Sequence, residues 1–289
     1  MTKSNRKATP RSKPLHVRKL LRLAFLLIVL YAAYQLFWNV KGRIDYQKGQ
    51  ETIQSLKMGL MSELTSPEQA AGEVSGHLAE DKAQAKSSKD IQVSQAGMKA
   101  DRALSQEAQI ALFNRLKAEV PALVAWLYIP GANIDMPIVQ GQDNDYYLNH
   151  DYRGKYNRYG APFLDQANAS DFSDQNSIIY AHNAPGEKVF GELTAYEDPS
   201  YLDKAPVMEL LTSQGKAYYD IQCVYIVDPY DNFRSIQYEG QAWQSFIKRW
   251  QDKNILDFPD PQADDHLLTL QTCLITDERL VIHGVKQAD

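Results

Sequence analysis

The second half of the chain alternates short apolar runs with turn-forming residues. Runs rich in Ile, Val, Leu, Tyr and Phe predict β-strands, and clusters of Gly, Pro, Asn and Asp separate them. The predicted strands occupy residues 123–129, 134–139, 161–164, 177–180, 218–227, 267–272 and 280–285. Many short strands with turn chemistry between them indicate a β-barrel or a β-sandwich.

Two segments show helical periodicity instead. Residues 105–119 carry apolar side chains every three or four positions, which predicts an amphipathic helix before the first strand. Within residues 240–253, Trp243, Phe246 and Trp250 fall at helical spacing. This second helix interrupts the strands, and its aromatic stripe is expected to pack into the core.

An uncharged apolar segment lies near the N-terminus. Residues 23–40 are long enough, at about 18 residues, to span a bilayer as a helix. Residues 1–22 contain eight Lys and Arg and no acidic residue, which predicts a cytoplasmic N-terminus. A cleaved signal peptide is the alternative, but no small-x-small cleavage site follows Trp38, so a retained anchor is favoured.

A polar segment separates this anchor from the strands. Residues 41–64 keep helical periodicity, whereas residues 66–101 contain no aromatic residue and are dominated by Ala, Ser, Gln, Lys, Glu and Asp. Such a composition buries little apolar surface and predicts a polar helical or flexible stalk. The expected organisation is a basic tail (1–22), an anchor (23–40), a stalk (41–103) and a folded domain (104–289).

Composition excludes several classes of function. The net charge of -5 conceals an acidic body, because residues 23–289 contain 23 basic and all 36 acidic residues. That charge argues against nucleic acid as a partner. The only cysteines, Cys223 and Cys273, provide neither a disulfide scaffold nor a CxxC zinc site. No P-loop, GxGxxG or cluster of metal ligands occurs, so no cofactor is expected.

The most informative segment is residues 267–285, where two apolar runs flank a short polar loop. This pattern predicts a β-hairpin in which Cys273 and Arg279 face each other. Directly opposed residues point to the same side of an antiparallel pair, with Cβ atoms about 5 Å apart. A guanidinium favours the reactive thiolate of a neighbouring cysteine, and it can donate hydrogen bonds to a developing oxyanion.

Two other interpretations of this pair compete with a catalytic one. In the first, the two residues have no catalytic role: the cysteine is a buried packing residue and the arginine lies on the surface. The Cys-x5-Arg spacing also matches tyrosine phosphatases, but their loop contains Gly, and its N–H groups converge on the phosphate. Here the loop has no Gly and carries Asp277 and Glu278 where a phosphate would bind, which disfavours a phosphatase.

A cysteine nucleophile also needs a base, and four of the six histidines lie in or near the predicted strands. His283 lies four residues beyond Arg279, and His266 lies seven before the cysteine, so both are too far away at about 3.3 Å per residue. His182 follows a strand and enters a polar turn, whereas His150 lies in a polar loop. From the residues alone, both remain candidates.

Three motifs in order carry a family resemblance. TLQTC at Thr269–Cys273, with Arg279 after it and YAHN at Tyr180–Asn183 before it, resembles the sortase family. The similarity covers about residues 123–285, essentially the whole folded domain. Further matches, at residues 126–151, 189–202 and 240–253, point to the class B branch.

The resemblance implies a mostly β fold, an eight-stranded sortase-type β-barrel with N-terminal helices and one inserted helix, preceded by a single transmembrane helix and a stalk. It implies catalytic roles for Cys273, His182 and Arg279, and none for His150. Thr272 is expected to line the substrate groove beside the nucleophile. No DPW- or DPF-like lid motif precedes the domain, which disfavours class C. The short loop after the cysteine and the long stalk depart from the class B pattern.

The implied reaction is transpeptidation on the outer face of a Gram-positive cell membrane. The cysteine cleaves the C-terminal sorting motif of a secreted protein, forms a thioacyl-enzyme and passes the acyl group to an amine. That amine belongs either to a peptidoglycan precursor, for wall anchoring, or to a pilin lysine, for pilus polymerisation. The alternatives are a cysteine hydrolase without an amine acceptor and a non-catalytic, membrane-bound peptide-binding module.

Overall fold

A closed β-barrel organises the chain, which the computed structural model describes over residues 15–65, 104–184, 188–230, 234–273 and 278–288. The strands are β1 (Leu123–Ile129), β2 (Ile134–Gln140), β3 (Phe163–Leu164), β4 (Asn176–Ala181), β5 (Asn183–Ala184), β6 (Lys188–Val189), β7 (Val207–Thr212), β8 (Gly215–Val227), β9 (Leu267–Cys273) and β10 (Arg279–Lys286). Eight of these described strands close the barrel in the order β1-β2-β3-β4-β9-β10-β8-β7, and β5 pairs with β6 separately. The eight-stranded barrel is therefore confirmed.

Strand β7 is the barrel strand that the sequence pattern does not reveal. Glu209 interrupts its apolar run, yet this carboxylate is buried, and it forms a salt bridge of 3.4 Å with Lys216 on β8. A buried charge is tolerated when it is paired, so the strand can carry a residue that polarity rules assign to the surface. The predicted strand at residues 161–164 shortens to Phe163–Leu164.

Alternation along the strands separates an interior core from an outer face. Leu268 and Leu270 of β9 and Leu280 and Ile282 of β10 lie in one buried apolar cluster inside the barrel. Side chains alternate faces along a strand, so the intervening positions lie on the outer face. Several of these, such as Val281 and Val285, pack with Phe246 and Trp250 of the helix Gln241–Lys253.

Three helices accompany the barrel in the described ranges: α1 (Leu15–Thr65), α2 (Gln106–Glu119) and α3 (Gln241–Lys253). Both helices expected after residue 103 are present. The hydroxyl of Ser105 caps α2 by accepting a hydrogen bond from the backbone N–H of Ala108. Phe246 and Trp250 of α3 are buried against the outer face of the barrel.

The chain divides into two compact units within α1, the first ending at Asp45 and the second beginning at Tyr46. By length and composition α1 is the one described helix able to cross a membrane, a test that a signal sequence near the N-terminus also passes. Residues 1–14 of the predicted basic tail lie outside the described residues. Residues 66–103 of the predicted stalk also lie outside them.

The C-terminal part of α1, which belongs to the predicted stalk, packs on the barrel. Ile53 and Met61 are buried in the same apolar cluster as Trp126 of β1. The ammonium of Lys57 lies 2.8 Å from the carboxylate of Asp135 on β2. The folded body therefore begins before residue 104, because the apolar stripe of residues 46–65 finds a partner surface.

Candidate active site

One end of strand β9 brings the three predicted catalytic residues together. Strand β9 lies between β4, which is parallel to it, and β10, which is antiparallel. Cys273 and Arg279 are Cα partners, so the predicted hairpin register is confirmed. On the other side Ala181 is the partner of Thr272, and His182 is the next residue along the chain. Three neighbouring strands therefore present Cys273, His182 and Arg279 at one end of the barrel.

His182 is held by hydrogen bonds from two directions. Its backbone carbonyl accepts a bond of 3.0 Å from the N–H of Phe190, just beyond the β5–β6 hairpin. Its ring Nε2 lies 2.8 Å from the carbonyl oxygen of Leu148, at the end of a 3-10 turn between β2 and β3. The ring is half-buried. The imidazole orientation is thus set by the β2–β3 connection as well as by β4.

The bond to Leu148 also fixes the tautomer of His182. A backbone carbonyl can only accept, so Nε2 carries the proton. In the neutral ring Nδ1 then has the free lone pair, and in the cation Nδ1 holds the second proton. Of the two ring nitrogens, Nδ1 is therefore the one that can exchange a proton with a second group. The sequence gives no signal for this partner, since the acceptor is a main-chain atom.

Arg279 begins β10 between two partners. It is opposite Cys273 on one side and opposite Val227 of β8 on the other. Its side chain is half-buried, and Nη1 donates a hydrogen bond of 3.2 Å to the carbonyl of Glu278. A guanidinium has five donor N–H groups in a planar fork, a geometry that suits a carboxylate or an oxyanion.

Thr272 lies on the interior face of β9. Its side chain is fully buried, and Oγ1 has no hydrogen-bond partner among the described residues. It shares the interior parity of Leu268 and Leu270 on β9. Its side chain is therefore part of the packing next to the cysteine position, and its place along a substrate groove stays a prediction.

Two groups that resemble catalytic residues in the sequence are buried structural groups. Cys223 is fully buried beside α3, and burial raises the pKa of its thiol, which keeps it protonated. His283 is also fully buried, with Nε2 2.7 Å from the Tyr225 hydroxyl and Nδ1 2.7 Å from the Thr269 hydroxyl. Burial, with a smaller contribution from Arg249, lowers the pKa of His283 to about 3.

His150, the second candidate base, lies on the surface of the β2–β3 connection. Its ring stacks on that of Tyr146 with centroids 4.0 Å apart, and Nδ1 lies 2.8 Å from the Tyr146 carbonyl oxygen. His150 lies two residues after Leu148 in this connection, whereas His182 directly follows the end of β4, next to the end of β9. Geometry therefore favours His182.

The family model for the sortase domain matches residues 127–287, more than half of the chain. The chain belongs to the sortase family. Sortase B of Listeria monocytogenes is 29% identical to this sortase over 170 residues, which is 56% of this chain and 68% of the Listeria protein. The enzyme is a cysteine transpeptidase of the class B type.

Solved class B structures share the barrel. A Staphylococcus aureus sortase B–substrate complex has a TM-score of 0.60 and 25% identity, over 69% of this chain and 93% of that one. A Streptococcus pyogenes class B sortase involved in pilus biogenesis has a TM-score of 0.55 and 29% identity, over 61% and 97%. The expected family and its class B branch are confirmed.

Proposed function

We propose that this sortase transfers the sorting signal of a secreted protein to an amine, with Cys273 as nucleophile, His182 as general acid and base, and Arg279 as a clamp. The register of three adjacent strands carries the proposal. Strand β4 ends beside the end of β9, and β10 begins opposite it, so Cys273 is paired with Arg279 and His182 follows the partner of Thr272. Cys223 is a poor competitor, since burial keeps its thiol protonated.

The first acyl transfer cleaves the substrate. The thiolate of Cys273 attacks the carbonyl carbon of a threonine in the sorting pentapeptide and forms a C–S bond. The C–N bond then breaks, and the leaving amine takes a proton from Nδ1 of His182. Nε2–H stays bonded to the Leu148 carbonyl in both protonation states, so the ring keeps its orientation while Nδ1 exchanges its proton.

The second acyl transfer releases the product. An incoming amine attacks the thioester carbonyl, and its proton passes to Nδ1 of His182, which is neutral after the first step. The C–S bond breaks and the thiolate is restored. Splitting one amide exchange into two acyl transfers is the general advantage of a covalent nucleophile.

The charge that develops on the substrate carbonyl oxygen needs a donor in both steps. Arg279 is the Cα partner of the cysteine, at the start of β10. A planar guanidinium can hold two oxygens at once, which a point charge cannot. We therefore propose that the guanidinium of Arg279 binds the oxyanion or the substrate backbone.

The substrate and acceptor classes are inferred from relatives. One of the similar structures is a Staphylococcus aureus sortase B–substrate complex, and this supports a sorting peptide as the substrate of the present sortase. We assign the acceptor amine to a peptidoglycan precursor. A pilin lysine is the second candidate, because the Streptococcus pyogenes relative is involved in pilus biogenesis.

We propose a membrane location with a cytoplasmic N-terminus and an external catalytic domain. The support is the apolar stretch of α1 and the eight basic residues in positions 1–22. Protease added to intact cells stripped of their wall should degrade the catalytic domain and spare the basic tail. A protected catalytic domain would refute this topology.

One experiment tests the reaction. The protein is incubated with a library of sorting peptides, with and without candidate amines, and the products are identified by mass. New amide products that appear only with an amine support transpeptidation. Cleavage to a free acid with every amine would instead show a hydrolase, and binding without cleavage would show a peptide-binding module.

A further inference from the structure

The two segments that hold His182 are both bonded to a single turn of α1. One segment is the β5–β6 hairpin with Phe190, whose N–H bonds to the His182 carbonyl. The other is the β2–β3 connection, whose Leu148 carbonyl accepts from the His182 ring. Each segment has a hydrogen bond to the α1 residues 46–49, which we call the brace turn.

Tyr46 supports the hairpin. Its hydroxyl accepts a hydrogen bond of 3.0 Å from the backbone N–H of Val189, the residue immediately before Phe190. Val189 has a φ of 57°, in the left-handed region that a β-branched residue rarely adopts. Such a strained backbone persists only when its surroundings hold it. Tyr46 is buried, and burial raises its pKa to about 12, so the hydroxyl stays neutral at physiological pH.

Gly49 supports the β2–β3 connection. Its carbonyl accepts a hydrogen bond of 2.9 Å from the hydroxyl of Tyr152, which is four residues beyond Leu148 and is buried. The connection is bonded across itself, since Asn157 N–H donates to the Asn149 carbonyl over 2.9 Å. A shift at Tyr152 is therefore transmitted to the neighbourhood of Leu148.

The two contacts belong to one helical face. Residues 46 and 49 are three apart, the spacing at which helix residues are neighbours on one side. The ring of Tyr46 also packs edge-on against Tyr159 of the β2–β3 connection, with centroids 5.7 Å apart. One rigid turn thus contacts both the hairpin and the connection, and fixes the distance between the two groups that hold the imidazole.

We propose that the brace turn positions the imidazole of His182 for proton transfer, which makes Tyr46 and Tyr152 positioning residues of the sortase reaction. This inference rests on the proposed role of His182 as general acid and base. Misplacement of a catalytic group by about 1 Å can cost up to a hundredfold in rate, so small shifts of the hairpin or of Leu148 matter.

The test uses the full-length protein in detergent with a sorting peptide and an amine. Tyr46→Phe keeps the ring and leaves the Val189 N–H without its acceptor, and Tyr152→Phe removes the donor to Gly49. Each change is expected to lower kcat about tenfold and to leave KM within about twofold. The double variant should lose less than the product of the two single losses, because both act on one imidazole.

Tyr196→Phe is the matched control. Its hydroxyl donates to the Ala205 carbonyl over 2.6 Å, and its ring lies in the same buried cluster as Tyr46. Its side-chain hydrogen bond goes to neither of the two segments that hold His182. The control should lose stability without a comparable loss of kcat. The pH profile of kcat should also change for Tyr46→Phe, because the His182 ring loses its fixed orientation, and should not change for the control.

Three outcomes would overturn the brace. The first is a kcat equal to that of the wild type in both variants, Tyr46→Phe and Tyr152→Phe. A second is a kcat loss in Tyr196→Phe equal to that in Tyr46→Phe at an equal fall in thermal midpoint. The third is an unchanged pH profile in Tyr46→Phe despite a lower kcat. His182→Ala, assayed in parallel, separates the two hypotheses: if it keeps normal turnover, the proposed function itself fails.

Discussion

The imidazole Nε2 of His182 lies 2.8 Å from the carbonyl oxygen of Leu148. Since the carbonyl cannot donate a hydrogen bond, we expect the neutral ring of His182 to be the Nε2–H tautomer. NMR of the protein labelled with 15N at histidine would show this tautomer for the signal that disappears in His182→Gln. A neutral His182 protonated at Nδ1 would contradict the assignment of proton transfer to that nitrogen.

The two cysteines should behave differently in thioester formation. Cys273→Ala is expected to abolish the covalent adduct with a sorting peptide, because the nucleophile is lost. Cys223→Ala should leave turnover largely intact, since that thiol is buried and its pKa is raised. The expected cost is in stability, because a cavity opens beside α3. Mass spectrometry of the acylated protein measures the adduct, and a folded Cys223→Ala protein without activity would contradict the assignment.

Removal of the C-terminal part of α1 should destabilise the folded body. A chain that begins at Asp101 loses Ile53 and Met61, whose burial each stabilises by about 1.5–3 kcal/mol, and it leaves Asp135 without Lys57. We expect the thermal midpoint to fall by about 5 °C or more relative to a chain that begins at Tyr46. Equal midpoints for the two chains would show that residues 46–65 contribute nothing to the body.

The buried His283 should make stability depend on acid. Its folded pKa of about 3 lies below the ordinary value of 6.5, so the unfolded chain binds the proton first as pH falls. The stabilisation is fully present above pH 6.5 and is lost between pH 6.5 and about 3, at about 1.4 kcal/mol for each pH unit.

Urea unfolding at several pH values checks this dependence, with His283→Gln as the comparison. The variant lacks the titrating ring, so its free energy of unfolding should fall less steeply over the same range. Parallel slopes for the two proteins would assign the acid dependence to other groups.

Local patterning explains why the fold and the cysteine hairpin were predictable. Two apolar runs on either side of one short polar loop predict a hairpin, and closing the hairpin around that loop pairs Cys273 with Arg279. The same logic fails at Glu209, where a buried charge is hidden by its partner Lys216 in another strand. The two residues are close in sequence, but only the register of β7 and β8 shows that their side chains are buried together.

Tertiary contacts decided the rest of the site. Nothing local distinguishes an exposed Thr272 from the buried one, because its face depends on where the barrel closes. The Leu148 carbonyl is a main-chain group and has no sequence signature. Residues 46–65 carry an apolar stripe, but only the barrel surface shows that the stripe has a partner.

The role of Arg279 can be separated into charge and geometry. If its charge only raises the thiolate fraction of Cys273, the gain is limited to about thirtyfold, from a few per cent to full ionisation. An oxyanion donor is typically worth about 10²–10³ in turnover. A lysine keeps the charge but lacks the planar fork. Arg279→Lys and Arg279→Ala therefore give different results for the two roles.

We expect Arg279 to act as a clamp that binds the oxyanion or the substrate backbone. Turnover should therefore fall about a hundredfold or more in both variants. The pH dependence of Cys273 alkylation reports the thiolate fraction independently of the substrate, with Cys223→Ala as the background to remove the second thiol. A large loss of turnover in both variants, with a nearly unchanged alkylation profile, fits donors aimed at the substrate. Near-normal turnover in Arg279→Lys would refute the clamp, because an ammonium opposite Cys273 would then be sufficient.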